Sequence, residues 1–180
     1  AAQNPKPQTV AFIAADQEFS RNACDGAKDN AKKIGLRTVY DRTYPPSTTD
    51  FTPIVRAIQA TNPDVVNICS YPPDSVGMVR TINEVGFKPK MVGGAMVGLQ
   101  ATAIKTQLGP LLNSIVNYDT YVPEPTMKFP GVDEFLKTYQ EKAPAAGVDL
   151  HGFFLPPFAY AQMQVLAQAV TTAGAIDHAK

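Results

Sequence analysis

Residues 9–45 read TVAFIAADQEFSRNACDGAKDNAKKIGLRTVYDRTYP and decide the fold class of the chain. The apolar run at 9–16 predicts a strand buried on both faces, because it lacks the polar alternation of a half-exposed strand. Residues 20–33 then repeat apolar positions with helical periodicity, and Gly35 is typical of a helix end. A second strand is predicted at 37–45. The segment therefore predicts two parallel strands joined by a helix.

The same alternation continues along the chain. Further strands are predicted at 64–70, 90–95 and 114–121, and the helices between them begin near Phe51, Pro72 and Gln100. Strict strand–helix alternation predicts an α/β fold: a parallel sheet with right-handed crossovers and helices on both faces. Ligands of such sheets bind outside the carboxyl ends of the strands, so we expect the site in the loops at that edge.

The last third of the chain has a different character. A proline-rich break at 122–125 precedes an amphipathic helix at 129–143 and a long helix at 153–170 that is apolar around most of its circumference. Such a helix needs partners on several sides, and the predicted sheet is too small to supply them. We therefore predict an α/β lobe at 1–121 and a helical segment at 122–180, and we expect that part of the fold is missing from this sequence. An uncovered face of this kind also predicts self-association.

Composition and motifs disfavour several functional classes. The 16 basic residues balance the 16 acidic ones, so no basic surplus suggests a nucleic-acid partner. Cys24 and Cys69 are too few for a disulfide framework and are predicted to be buried thiols. His151 and His178 lack metal-ligand spacing, and the glycine-rich phosphate loops and the G-x-S-x-G elbow are missing. We therefore predict a non-enzyme with no metal or cofactor; an enzyme of flavodoxin-like or Rossmann-like fold is an alternative.

Four segments carry a resemblance to a known family. They are VAFIAADQEFSRNACDG at 10–26, TYPPSTTDFTPIVRAI at 43–58, NPDVVNICSYPPDSVGMVRTINEVGFKPKMVGG at 62–94 and FAYAQMQVLAQAV at 158–170. With them the chain resembles the second lobe, and the returning segment, of type I periplasmic substrate-binding proteins of the branched-chain amino acid ABC transporter family. The resemblance implies that 1–121 is a ligand-binding lobe and that 122–180 packs on a first lobe absent from this sequence. The resemblance implies a periplasmic receptor that clamps a small ligand between two lobes and docks on an inner-membrane ABC permease. A ligand-sensing regulatory module of the same fold is the alternative.

The resemblance also implies site residues. An aromatic residue after the first strand of the lobe lines the cleft, which is Phe19 here, and a second aromatic after the third strand is Tyr71. Where amino-acid-binding members carry an acidic residue, this chain has Ala95, followed by Met96, which we predict as an apolar wall. Phe154 lies where the returning segment can reach the cleft. Because an alanine cannot pair with a desolvated ammonium, we hypothesise a carboxylate ligand such as an aromatic acid, with an amino acid as the alternative.

Overall fold

The computed structural model describes residues 5–177. The chain divides into two compact units, and the boundary along the chain falls between Tyr118 and Asp119. In the first unit five strands alternate with four helices: β1 Thr9–Ala15, α1 Glu18–Lys33, β2 Arg37–Tyr44, α2 Thr52–Ala60, β3 Val65–Ser70, α3 Pro72–Val85, β4 Met91–Met96, α4 Thr102–Leu108 and β5 Ile115–Asn117. A short 3-10 turn at Gly109–Leu112 precedes β5. The predicted alternation is confirmed.

All strand pairings in the sheet are parallel, and the strand order is β2-β1-β3-β4-β5. The chain therefore starts in the middle of the sheet, moves outward to β2, and then crosses back to build the other half. Helix α1 packs in one apolar cluster of the sheet and helices α2 and α3 pack in the other, so both faces are covered as predicted. The order reverses between β1 and β3, and such a reversal point is where open α/β sheets hold their ligands.

The core of the first unit consists of two apolar clusters, one on each face of the sheet. Alternate residues of β1 contribute to both: Ile13 and Ala15 belong to one cluster, Phe12 and Ala14 to the other. This division follows from the two-residue period of a strand. Burying a side chain of the size of Phe12 or Ile13 contributes about 1.5–3 kcal/mol, so a central strand of this composition anchors the sheet.

The Gly93-Gly94 pair in β4 has a structural explanation. A Cβ atom at Gly93 would collide with the backbone of Val116 in β5, and one at Gly94 would collide with the backbone of Ile68 in β3. Gly94 also has a φ of 139°, which side-chain-bearing residues rarely adopt. The two glycines thus permit close approach of β4 to both of its neighbours.

The second unit contains a short 3-10 turn at Pro125–Met127 and two helices, α5 Val132–Lys142 and α6 Pro156–Ala173. Helix α6 begins three residues later than predicted, because Pro156 and Pro157 are suited to a first turn and the residue before a proline disfavours helix. Large apolar side chains of α6 are exposed, namely Phe158, Met163, Val165 and Leu166. Strand β5 is also shorter than the predicted 114–121. Within residues 5–177, no helix is long and apolar enough to cross a membrane.

Candidate functional site

Two aromatic side chains flank the point where the strand order reverses. Phe19 lies in the first turn of α1, directly after β1, and Tyr71 is the N-cap residue of α3, directly after β3. Their ring centroids are 6.1 Å apart and the rings meet edge-on at 63°. Phe19 is 43% exposed and Tyr71 is half-buried. The structure therefore brings together the two aromatic residues predicted from the sequence, at the carboxyl edge where a ligand is expected.

A buried serine pair holds Tyr71 in place. The Oγ atoms of Ser70 and Ser75 are 2.8 Å apart, and the Ser75 hydroxyl donates a hydrogen bond to the carbonyl of Val97 at 2.8 Å. The amide of Val97 in turn donates to the carbonyl of Ser70 at 3.0 Å. These bonds join the end of β3, the first turn of α3 and the end of β4. The sequence did not predict this network, because no motif indicates which groups a serine hydroxyl will bind.

Side-chain amides organise the loop after β4. Asn117 accepts a hydrogen bond from the amide of Met96 at 3.0 Å and donates one to its carbonyl at 2.9 Å, so it continues the pairing of β5 with β4. Gln100 accepts from the amide of Gly98 at 2.9 Å and donates to the carbonyl of Tyr118 at 3.0 Å. The loop beside Ala95 is thus hydrogen-bonded on both sides, which limits its freedom to rearrange around a ligand.

The structure separates Ala95 from Met96. Met96 is 0% exposed and packs in the same cluster as Ile13, whereas Ala95 is half-buried and packs against the cluster on the opposite face. Successive strand residues point to opposite faces, so the two side chains contact different clusters. Met96 is a core residue of this unit, and its place on a cleft wall stays a prediction. The role of Ala95 stays a prediction.

Phe154 lies in the second unit and is half-buried, and its carbonyl accepts a hydrogen bond from the hydroxyl of Thr120. Its neighbour Phe153 is buried and packs edge-on against the rings of Tyr121 and Tyr139, at 6.3 Å and 5.9 Å between centroids. Phe153 thus belongs to the core of this unit. Ligand contact by Phe154 stays a prediction.

The acidic residues near the carboxyl edge of the sheet have partners of their own. Asp16 forms an ion pair with Arg21, with 3.0 Å between Oδ1 and Nη1. Asp74 is buried and accepts a hydrogen bond from the hydroxyl of Tyr44 at 3.1 Å. Burial, followed by the nearby Asp74 carboxylate, raises the pKa of Tyr44 above its usual range. The phenol therefore stays protonated and serves as the hydrogen-bond donor to Asp74.

The second unit has an open apolar groove of about 840 Å³ between α5 and α6. Its lining is rich in aromatic rings: Phe129, Phe135, Tyr139, Phe158 and Tyr160. Phe135 and Tyr160 are in contact, with 5.0 Å between ring centroids. Charged and polar side chains, among them Glu134, Lys142 and Gln164, line the groove as well.

Neither histidine suggests a metal site. The ring of His151 packs edge-on against Phe153 at 6.3 Å, and His178 lies outside the residues that the structure describes. Over residues 5–177, no group of three or more His, Cys, Asp or Glu side chains is arranged to hold a metal ion.

The sheet and its reversal point define an α/β lobe, and comparison with known proteins specifies the class. A family model described as "Periplasmic binding protein" matches residues 1–180. The chain belongs to this family, and the resemblance seen in the sequence is confirmed. Members of the family are periplasmic solute-binding proteins.

Individual relatives agree with this assignment. The chain is 31% identical over 144 residues, or 78% of its length, to "Leu/Ile/Val-binding protein homolog 8" of Brucella abortus, and 27% identical over 156 residues, or 84% of its length, to "homolog 7" of the same species. It superposes with a TM-score of 0.79 on a leucine-binding protein from Thermotoga maritima, at 20% identity over 97% of this chain. An amino acid ABC transporter substrate-binding protein from Pseudomonas fluorescens gives 0.75, at 17% identity over 96%.

The chain spans only part of each relative. It covers 35% and 39% of the two Brucella proteins, and 48% and 44% of the two solved structures. The structural likeness at these identities establishes the fold.

Proposed function

We propose that this chain forms one wall of the ligand-binding cleft of a solute-binding receptor that serves an ABC importer. The observation that carries the proposal is the Phe19–Tyr71 pair, which lies at the reversal point of a parallel sheet with one ring 43% exposed. Aromatic rings on a rigid edge suit a small ligand, because they bury a large area at low cost in side-chain entropy. The names of the relatives, which include binding proteins for branched-chain amino acids, support the same class of activity.

For the ligand we propose a small organic carboxylate without an α-amino group, such as an aromatic acid. A desolvated ammonium requires a paired anion. The position at which amino-acid-binding relatives carry that anion is Ala95 here. Two acidic residues near the strand ends already have partners: Asp16 forms an ion pair with Arg21, and Asp74 accepts a hydrogen bond from the Tyr44 hydroxyl. An amino acid is the second candidate, supported by the printed names of the relatives.

We further propose that a lobe outside this sequence completes the cleft, and that the chain divides functionally into a lobe at 1–121 and a returning segment at 122–180. The exposed apolar side chains of α6 and the aromatic groove beside it are the surface that such a lobe would cover. The small share of each relative that the chain spans supports this arrangement. In this arrangement the two lobes would close on the ligand by hinge motion. The closed receptor would then dock on an inner-membrane permease. The location would be the periplasm.

A thermal-shift screen of the full-length protein tests the proposal. One panel holds aromatic and aliphatic carboxylates without an amino group, and the other holds branched-chain and aromatic amino acids. A ligand that binds only the native state raises Tm, and the stabilisation grows with the logarithm of its free concentration relative to Kd; at 100 times Kd it is about 2.7 kcal/mol. Shifts with the carboxylates alone support the whole proposal, and shifts with amino acids alone keep the receptor but overturn the ligand class. No shift with either panel contradicts the proposed ligand classes.

A further inference from the structure

The two cysteines of the first unit meet across the interface between α1 and β3. Cys24 lies on the buried side of α1 and Cys69 is the fifth residue of β3, 45 positions later in the chain. Their Sγ atoms are 2.7 Å apart, and both residues are free thiols, each 1% exposed. The separation is shorter than an ordinary non-bonded contact of two sulfur atoms and longer than the covalent S–S length of about 2.05 Å, so the two sulfurs are within reach of each other for bond formation.

The surroundings of the pair connect it to the surface on one side. Cys24 contributes to the wall of a small pocket of about 150 Å³ between α1 and β2 that Arg21, Lys28 and Arg42 also line, whereas Cys69 does not line it. Asp25 and Asp41 line the pocket as well, and the hydrogen bond to Cys69, followed by burial, raises the pKa of Cys24. The hydrogen bond that Cys24 donates lowers the pKa of Cys69. In the folded unit Cys69 is thus the thiol that ionises more readily, and the thiolate is the reactive form.

We propose that Cys24 and Cys69 are joined by a disulfide bond when the protein folds in an oxidising compartment, so that α1 is fixed covalently to β3. The proposal uses the periplasmic location proposed above, where disulfides form and persist. It does not depend on the identity of the ligand.

The bond forms by exchange with an external disulfide, that of an oxidising thiol–disulfide exchange protein or, in vitro, oxidised glutathione. While both thiols are still accessible, the thiolate of one cysteine attacks one external sulfur, the external S–S bond breaks, and one external thiolate leaves. The thiolate of the other cysteine then attacks the Sγ atom of the first and displaces the second external thiolate. The two cysteine protons end on the two leaving thiolates, and two electrons pass from the cysteines to the external disulfide. Because both sulfurs are buried once α1 has docked, the exchange belongs to the folding of the chain.

The position of the bond connects it to the aromatic pair. Cys24 is five residues after Phe19 in α1, and Cys69 is two residues before Tyr71. A covalent link at this point holds the start of α1 against the end of β3, and so preserves the 6.1 Å spacing of the two rings. Pre-organisation of this kind lowers the cost of ordering a site on binding.

Peptide mapping of the wild-type protein is the decisive experiment. The full-length protein is refolded with oxidised and reduced glutathione, alkylated in denaturant and digested with trypsin without reduction. We expect a cross-linked species of peptides 22–28 and 57–80 that is two hydrogen masses lighter than their sum and separates on reduction. Both peptides recovered mainly in alkylated form would overturn the proposal. The readout needs no ligand, so a failure here is distinct from a failure of the receptor proposal.

Stability measurements give a second, independent readout. Reduction of the wild-type protein should lower Tm by about 5–10 °C, since a disulfide that closes a loop of this length restricts the unfolded chain. The matched control is the Cys24→Ala/Cys69→Ala variant, whose Tm should not respond to reductant. An equal response of the variant, or no response of the wild type, would contradict the bond.

Discussion

The ring of Tyr71 meets the ring of Phe19 edge-on, 6.1 Å away, across the point where the strand order of the sheet reverses. One ring comes from the helix after β1 and the other from the helix start after β3, two strands that are hydrogen-bonded neighbours. Their proximity is thus a consequence of sheet topology, and the rigid strands beneath them limit their relative movement.

Replacing Phe19 with alanine should weaken ligand binding with little effect on folding. The Phe19 side chain is 43% exposed, so its removal leaves no closed cavity. An aromatic side chain that packs against a ligand contributes more than about 1 kcal/mol to binding. We expect Kd, measured by calorimetry on the full-length protein with the ligand found in the screen, to rise about tenfold. Ile34→Ala is the matched control, because Ile34 is a similarly exposed apolar residue at the opposite end of α1. Equal effects of the two variants would argue against a site at Phe19.

An acidic residue at position 95 should change ligand preference. In Ala95→Asp a carboxylate occupies the position at which the proposed function places the partner of a substrate ammonium, so carboxylate ligands should bind at least tenfold more weakly. Ala95→Asn is the control of nearly the same shape without the charge, and it should retain the carboxylates better. The comparison is read from Kd values for both panels of ligands. Unchanged selectivity in Ala95→Asp would place the ammonium-binding position elsewhere.

Substitution of two buried serines by alanine should have different effects on the free energy of unfolding. Among the described residues, Ser20 carries the one buried side-chain oxygen without a hydrogen-bond partner, whereas the Ser75 hydroxyl bridges Ser70 and the Val97 carbonyl. Ser20→Ala should therefore leave the free energy of unfolding unchanged or raise it, by up to about 1 kcal/mol. Ser75→Ala should lower it by about 1–3 kcal/mol, since it leaves buried groups unpaired. Urea unfolding measures both, and a clear loss of stability in Ser20→Ala would reveal a partner of its hydroxyl.

The carboxylate of Asp64 should make the stability of the first unit depend on acidity. It forms an ion pair with Lys90 at 2.8 Å and accepts hydrogen bonds from the amides of Gln8 at 2.7 Å and Thr9 at 3.1 Å. The Lys90 contact and these amides lower the pKa of Asp64 below its usual range. Its contribution is therefore complete above the unfolded pKa of about 3.9 and is lost as the pH falls through the folded pKa.

We expect Asp64→Asn to unfold at lower urea concentration than the wild type at pH 7, and the difference to shrink steadily below about pH 4. Asp133→Asn is the control, because the ion pair of Asp133 with Lys128 is well exposed and contributes little. A difference that is constant from pH 7 to pH 3 would mean that Asp64 acts through its shape and not through its charge.

The local sequence pattern was sufficient to predict the architecture of the first unit. The strands and helices of the first unit, and their alternation, follow from hydrophobic periodicity and from glycine and proline positions, which act over a few residues. The start of α6 was misplaced by three residues, because the apolar run at 153–155 continues the helical pattern and masks the proline pair that begins the helix. The pairing of Phe19 with Tyr71 could be anticipated only through the resemblance to a family.

The sequence by itself determined the fold class and the parallel sheet, since both depend on local periodicity, and its resemblance to a family indicated the two aromatic residues at the carboxyl edge. Only the tertiary structure decided which side chains meet. It buried Met96 on the opposite face from Ala95, joined Ser75 to Val97, and brought Cys24 within 2.7 Å of Cys69. The physical reason is that these contacts link residues from separate elements, and their formation depends on strand order, register and packing, which no single segment of the chain encodes.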